Sequence, residues 1–323
     1  MRNTPFWDKI KAMIKHVSIA ALPVTENLVI QKNRIENNVS PGCKRVCIVT
    51  GTHGDELEGQ YVCACLAKLL NDEKQKLTGI VDIYPAINPL GIDSVTRGFP
   101  LFDLDMNRIF PGSPTGSLAE AVAYDIVRDI EGADMCIDIH SSNIFLREIP
   151  QVRLSEQTEA DLLPYALMLN IDLVWIHTAA TVLESTLAHT LNMSGVKTLV
   201  VEMGVGMRIT ETYCEQLLDG IMNILHKLDM WDGQTAKVRT PIVSKDRAVG
   251  FLNSDAAGIF IPTAAHGSHV SAGDLVGMVL DPLTGSIVEN ALAPCDGLLF
   301  TLREYPVVFG GSLLARIMGD GSD

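Results

Sequence analysis

The stretch VCIVTGTHGDELEGQYV places His53, Asp55 and Glu56 where a β-branched apolar run gives way to a helical pattern. In an open α/β sheet the carboxyl end of a strand is where ligands bind. The spacing His53-x-x-Glu56 suits two ligands of one metal ion, although a solvated turn in which Asp55 caps the following helix would read the same way. A second apolar run ends in DIHSS and carries His140. His53, Glu56 and His140 together supply two imidazoles and one carboxylate, the ligand set of a catalytic zinc with one position left open. Asp138 and Ser141 are candidates to orient the ligating histidine, while plain packing is the other reading of a lone strand-end histidine.

A third run, TLVVEMG, ends on Glu202. Its neighbours are apolar, so the carboxylate faces a partner or a site, because burying it alone costs several kcal/mol. Beside an activated water it could accept a proton and pass it to a leaving amine; a salt-bridged strand end is the alternative. Between these runs lies NPLGIDSVTRGFPLFDLDMNRIFPG. One of its arginines could stabilise an oxyanion and the other could hold a substrate carboxylate; Arg97 and Arg108 are the candidates, with Asn107 as a further amide donor. Met106 and Ile109 suggest a partly desolvated guanidinium at Arg108, and Asp103 or Asp105 could equally be its loop-ordering partner.

These groups need a scaffold that gathers strand ends. Apolar runs recur at 46–50, 80–88, 135–140, 172–178 and 198–204, separated in several places by helical patterns. In one of these, Ser117 and Glu120 have capping-box spacing and Gly132 can close the end. A last long helix is expected at about Thr210 to Met230. Strands alternating with helices predict a mostly parallel mixed sheet flanked by helices. From about Val238 the texture changes to short strands with glycine and proline turns, an all-β region able to fold apart. The expected division is 1–236 for a catalytic domain and 237–323 for a C-terminal β domain.

A net charge of -14 argues against nucleic acid or an anionic membrane as partner, since the summed field repels phosphates. Seven cysteines without framework spacing and an N-terminus with scattered charges predict a reduced, cytoplasmic protein. No run reaches the length of a membrane span. His177 ends an apolar run and reads as a core histidine, whereas HGSH at 266–269 falls in a turn of the β region and makes a poor metal pair. The β region has the barrel-sandwich pattern of biotinyl and lipoyl carriers, but the chain has no lysine after Lys245 to carry either group. A covering, specificity or dimer-contact role is expected there, leaving homo-oligomerisation open.

GTHGDE, DLDMNRIFPG, DIHSS and VVEMG occur in that order. Together they resemble the succinylglutamate desuccinylase and aspartoacylase family, a branch of the zinc-carboxypeptidase-like fold, over about residues 45–205. The following β region also fits that family's two-domain plan. The resemblance implies one Zn2+ per chain held by His53, Glu56 and His140, with Glu202 as general base. It implies that Asn107 and Arg108 grip the substrate carboxylate and that Arg97 assists the oxyanion. The implied activity is hydrolysis of the amide of a small N-acyl amino acid or related amine, with a peptide-cutting zinc carboxypeptidase as the alternative. One departure is the segment GFPLF after Arg97, longer and more apolar than aspartoacylase leads one to expect.

Overall fold

The structure is a computed structural model that describes residues 13–177, 184–245 and 249–319. Its first part supplies strands β1 (Ile14–Ala21), β2 (Asn27–Asn37), β3 (Arg45–Thr50), β4 (Gly79–Tyr84), β5 (Met135–Ser141), β6 (Leu146–Ser155), β7 (Leu173–His177) and β8 (Lys197–Gly204). The helices are α1 (Glu58–Asp72), α2 (Pro89–Ser94), α3 (Leu118–Ile130), α4 (Glu159–Ala166), α5 (Leu187–Met193) and α6 (Glu211–Lys227). β4, β3, β5 and β8 lie side by side and parallel, and they form the heart of the sheet. β2 and β1 extend it antiparallel on one side, and β6 joins β8 antiparallel on the other, with β7 parallel to β6.

The continuous apolar runs are explained by burial on both faces. Alternate residues of a strand point to opposite faces: Val46 and Ile48 belong to one apolar cluster with Val62 and Leu66 of α1 and Leu217 of α6, whereas Cys47 and Val49 belong to another with Val122 and Ile126 of α3 and Leu191 of α5. The α3 helix begins with the expected capping box of Ser117 and Glu120, and Gly132 follows it at φ 77°. The strands read from apolar runs fall close to their expected bounds, although Thr178 of the run 172–178 lies outside the described residues, as do residues 1–12 and 320–323 of the expected domains. Three strands were not anticipated, β1, β2 and β6, because polar and charged residues interrupt them.

The C-terminal region adds β9 (Ile242–Lys245), β10 (Val249–Asn253), β11 (Gly258–Pro262), β12 (His269–Val270), β13 (Leu275–Leu280), β14 (Ile287–Leu292), β15 (Gly297–Arg303), β16 (Val307–Val308) and β17 (Leu313–Gly319). β14, β13, β11 and β16 form a separate four-stranded antiparallel sheet. The rest do not stand apart: β9 pairs parallel with β7, β15 pairs antiparallel with β6, and β17 and β10 continue the main sheet from there. Backbone hydrogen bonds therefore join the two regions. The seven cysteines are free thiols, four of them buried.

The N-terminal strands are fixed by a buried charge network. Asp82 on β4 takes two hydrogen bonds from Arg34 on β2, at 2.8 and 2.7 Å, and one from Lys32 at 3.1 Å. Lys32 also reaches Asp129 of α3, so strand, strand and helix share one set of charges. Burial opposes the ionised Asp82, but Arg34 and Lys32 outweigh it and lower its pKa. Asp82→Ala leaves Lys32 short of a counter-charge in the interior and is expected to cost about 3 kcal/mol at pH 7 in urea unfolding. Because the folded-state pKa is depressed, the wild-type advantage is complete above about pH 4 and should shrink as pH falls below it.

Candidate metal centre

The loop after β3 is shaped by glycines. Gly51 turns the chain at φ 71°. A Cβ on Gly54 would lie 2.0 Å from the carbonyl carbon of Gly91, so only glycine lets the loop lie against α2. The N–H of Gly54 donates to the carbonyl of Arg97 at 3.2 Å, which ties the two candidate segments together. His140 stands one residue from the end of β5, the strand beside β3.

The side chains converge on Glu56, which is 3% exposed. His53 Nδ1 lies 2.6 Å from Glu56 Oε1 and His140 Nδ1 lies 2.9 Å from Oε2. Arg97 donates to Oε1 at 2.8 Å, and the N–H of Ser141 donates to Oε2 at 3.1 Å. The outer ring nitrogens also have carboxylate partners: His53 Nε2 is 3.0 Å from Asp105 and His140 Nε2 is 3.2 Å from Asp138. The Ser141 hydroxyl and Asp138 Oδ1 are buried without a hydrogen-bond partner.

One ligand atom from each of His53, Glu56 and His140 falls within 4.8 Å of the others, the one such group of His, Cys, Asp and Glu among the described residues. The set fits a zinc ion. Two Nδ1 atoms and a carboxylate face inward, and each outer Nε2 is held by an aspartate that fixes the tautomer needed for ligation. Electrostatics agree. Burial opposes charge on His140, but Asp138 and Glu56 outweigh it and raise its pKa well above the ordinary value. His53 is raised in the same way by Asp105 and Glu56. Burial also opposes the anionic Glu56, yet both histidines hold it far below the usual carboxylate range. Asp105 is lowered to about 2, its burial overcome by His53. The carboxylates that favour a proton on each imidazole would equally favour a dication in its place.

Glu202 on β8 stands opposite His140 on β5. Burial raises its pKa, with Arg153 acting against that. Asn107 accepts the Leu187 N–H at 3.0 Å on its side-chain oxygen, leaving the amide NH2 as the group available to a ligand. Arg108 differs from expectation: it is exposed rather than desolvated, because the short turn 106–108 directs Met106 into the core. Among the described residues it forms no ion pair with Asp103 or Asp105; its guanidinium donates to the Asn107 carbonyl at 2.8 Å. Asp105 is instead the partner of His53. In the apolar GFPLF segment, Phe99 is fully buried and stacks on Phe102, so Phe99 anchors the loop that carries Arg97, while Leu101 and Phe102 are exposed.

His177 packs against Trp175, with ring centroids 4.2 Å apart. His266 hydrogen-bonds to Tyr213 and to the carbonyl of Phe300 at 3.0 Å, while His269 is exposed. Sequence reasoning missed Arg153 and Glu148, both on β6, and Arg316 on β17. Glu202 lies 3.3 Å from Arg153. Three charged residues, Arg147, Glu148 and Arg153, within the apolar stretch LREIPQVRLS were the available signal.

An α/β sheet that gathers two imidazoles and a carboxylate at the carboxyl ends of parallel strands defines a class, that of candidate metallohydrolases. The model of the succinylglutamate desuccinylase/aspartoacylase catalytic domain matches residues 42–228, more than half of the chain, and the chain belongs to that family of deacylases. It is 27% identical over 284 residues to the N-alpha-acetyl-L-2,4-diaminobutyric acid deacetylase of Halomonas elongata, covering 83% of this chain and 80% of the relative. In fold it is similar to a succinylglutamate desuccinylase/aspartoacylase from Rhodobacter sphaeroides, with TM-score 0.79, 23% identity and 96% of each chain covered. It is equally similar to the product-bound ectoine utilization protein EutE (DoeB) from Ruegeria pomeroyi, with TM-score 0.79, 22% identity and 94% of each chain covered. Among the described residues no helix is long and apolar enough to cross a membrane.

The purified protein should take up about one zinc per chain, and His140→Ala should lose most of it. Because both histidine pKa values are raised, protons compete with the metal to higher pH than for free imidazole. Apparent zinc affinity should therefore fall steadily as pH is lowered, with proton release on binding, both measurable by competition titration against a chelator. A Gly54→Ala chain should lose zinc while keeping its far-UV circular dichroism.

Proposed function

We propose that the chain is a zinc-dependent amidohydrolase that removes the acyl group from a small N-acyl amino acid or related amine. One observation carries this reading: His140 and Glu202 are register partners on adjacent parallel strands. Directly opposed residues project from the same face of a sheet, which sets a ligand and a carboxylate base side by side at the strand ends. A zinc ion held by His53, Glu56 and His140 would supply Lewis acidity to the amide carbonyl and acidify a water.

Glu202 accepts the proton of the attacking water as its oxygen bonds to the carbonyl carbon, then returns it to the nitrogen as the C–N bond breaks. The products are a carboxylate and an amine. Burial suits Glu202 to this shuttle, since a raised pKa makes its protonated form accessible. Arg97, with a side chain 44% exposed, reaches the cluster from the solvent side and donates to the oxyanion. Arg108, free of carboxylate partners among the described residues, pairs with the substrate carboxylate, and the Asn107 amide NH2 adds a donor.

The Halomonas elongata relative makes N-acetyl-2,4-diaminobutyrate the first substrate to try. The zinc-loaded protein is expected to release amine from N-acetyl or N-succinyl amino acids. Release of C-terminal residues from peptides, with none from those compounds, would transfer the chain to the carboxypeptidase reading. Glu202→Gln should keep its zinc and lose roughly 10²-fold or more in turnover. Arg108→Ala should lower kcat/KM about tenfold for an N-acyl amino acid but barely for its carboxamide, the modest size following from the solvent around the guanidinium. An equal acid-to-amide preference in variant and wild type would remove Arg108 as the clamp.

A further inference from the structure

A row of side chains runs across one face of the main sheet, from the metal centre into the C-terminal strands. His140 on β5 is opposite Glu202 on β8, which is opposite Gln151 on β6. Gln151 donates to Glu148 on the same strand at 2.8 Å. Glu148 is opposite Thr301 on β15, Thr301 is opposite Arg316 on β17, and Arg316 is opposite Phe251 on β10. Arg153, two residues along β6 from Gln151, projects from the same face and links the two carboxylates. It lies 3.3 Å from Glu202 and 3.6 Å from Glu148.

Glu148 is 1% exposed and fully engaged. Arg316 donates to its Oε1 at 3.0 Å, and Thr301 donates to its Oε2 at 2.7 Å. The guanidinium carbons of Arg153 and Arg316 both lie over the Trp175 ring, 5.5 and 5.7 Å from its centroid. Two arginines and two glutamates balance in charge. The cluster has no surplus cation for a substrate carboxylate, whereas Arg108 is a cation without a carboxylate partner among the described residues. Arg153 is thus spoken for by Glu202 and Glu148.

We propose that Arg153 is a positioning residue for Glu202, and that the C-terminal strands fix it in place through Arg316 and Thr301 on the shared carboxylate of Glu148. The proposal rests on the reading of Glu202 as the proton-transferring group. A planar guanidinium held between two carboxylates and against an indole has little rotational freedom. It therefore limits where the carboxylate of Glu202, on the strand position opposite His140, can sit. The C-terminal region contributes no group to the reaction in this account, yet it sets the aim of the base.

The test uses the full zinc-loaded chain. Arg153→Met should lower kcat about 10- to 100-fold with KM within about twofold, because a lost orientation acts on the transition state rather than on substrate binding. Zinc content should be unchanged. Arg153→Lys should recover part of the loss, and Arg316→Met should show a smaller loss of the same kind. Added to Glu202→Gln, Arg153→Met should cost nothing more, since residues that act as one unit are not additive. A raised KM at constant kcat, or a fully additive double variant, would overturn the proposal. A crystal structure of Arg153→Met gives an answer independent of turnover: the Glu202 carboxylate should leave the position it holds in the wild type, and an unmoved carboxylate would overturn the proposal. If wild-type protein hydrolysed no N-acyl substrate, the deacylase reading would fall, and the crystallographic comparison would still decide whether Arg153 holds Glu202.

Discussion

A carboxylate buried as deeply as Glu56 must be satisfied from every side, since an unpaired charge in the interior is costly. Its four partners come from three parts of the chain: His53 from its own loop, Arg97 from the loop after α2, and His140 with the Ser141 N–H from the end of β5. That demand fixes where the loop after β3 can lie, and with it the glycine at position 54 that lets it approach α2. The aspartates behind each imidazole extend the same logic outward. Asp105 is held by the Asn107 N–H at 2.9 Å, so the turn that bears Asn107 and Arg108 is tied back to the centre through His53. A single carboxylate thereby organises segments up to 85 positions from it in the chain.

The parts of this arrangement that were legible in the sequence are those whose side chains alternate with apolar neighbours. Buried parallel strands are long apolar runs, so β3, β5 and β8 stood out, and polar residues at their carboxyl ends were conspicuous for that reason. The strands β2 and β6 were illegible because inward positions carry charge, and β1 because exposed Lys15 and His16 and buried Ser18 break its apolar run. Lys32 on β2 is 3% exposed and Glu148 on β6 only 1%, and each is tolerated only because another strand supplies the opposite charge. No single-sequence pattern announces such a pairing: the partners that the C-terminal strands supply to Glu148, Thr301 and Arg316, are 153 and 168 positions away. The state of Arg108 was misread for a related reason. Its apolar neighbours suggested burial, but in a short turn adjacent residues face different ways, and Met106 took the core while Arg108 took the solvent.

The two regions of the chain are more closely joined than their composition suggests. Short strands with glycine turns look like a separate module, and the four-stranded sheet of β14, β13, β11 and β16 has that character. The remaining strands obey a different constraint. β7 pairs with the later part of β6, Gln151 to Ser155; an open edge on the first part would leave unpaired backbone groups, and β15 covers it there, with Thr301, Leu302 and Arg303 opposite Glu148, Arg147 and Leu146.

That covering has a consequence in time. A ribosome makes the chain from its N-terminus, and β15 begins 142 residues after β6 ends. Until β15 emerges, the first residues of β6 keep an open, adhesive edge, and Glu148 has neither Thr301 nor Arg316. Closing so long a loop is slow, because its entropy is lost before its contacts are gained. The start of β6 is thus exposed to mispairing while the next 142 residues are made, and a chaperone that shields strand edges would find its strongest claim on this chain there.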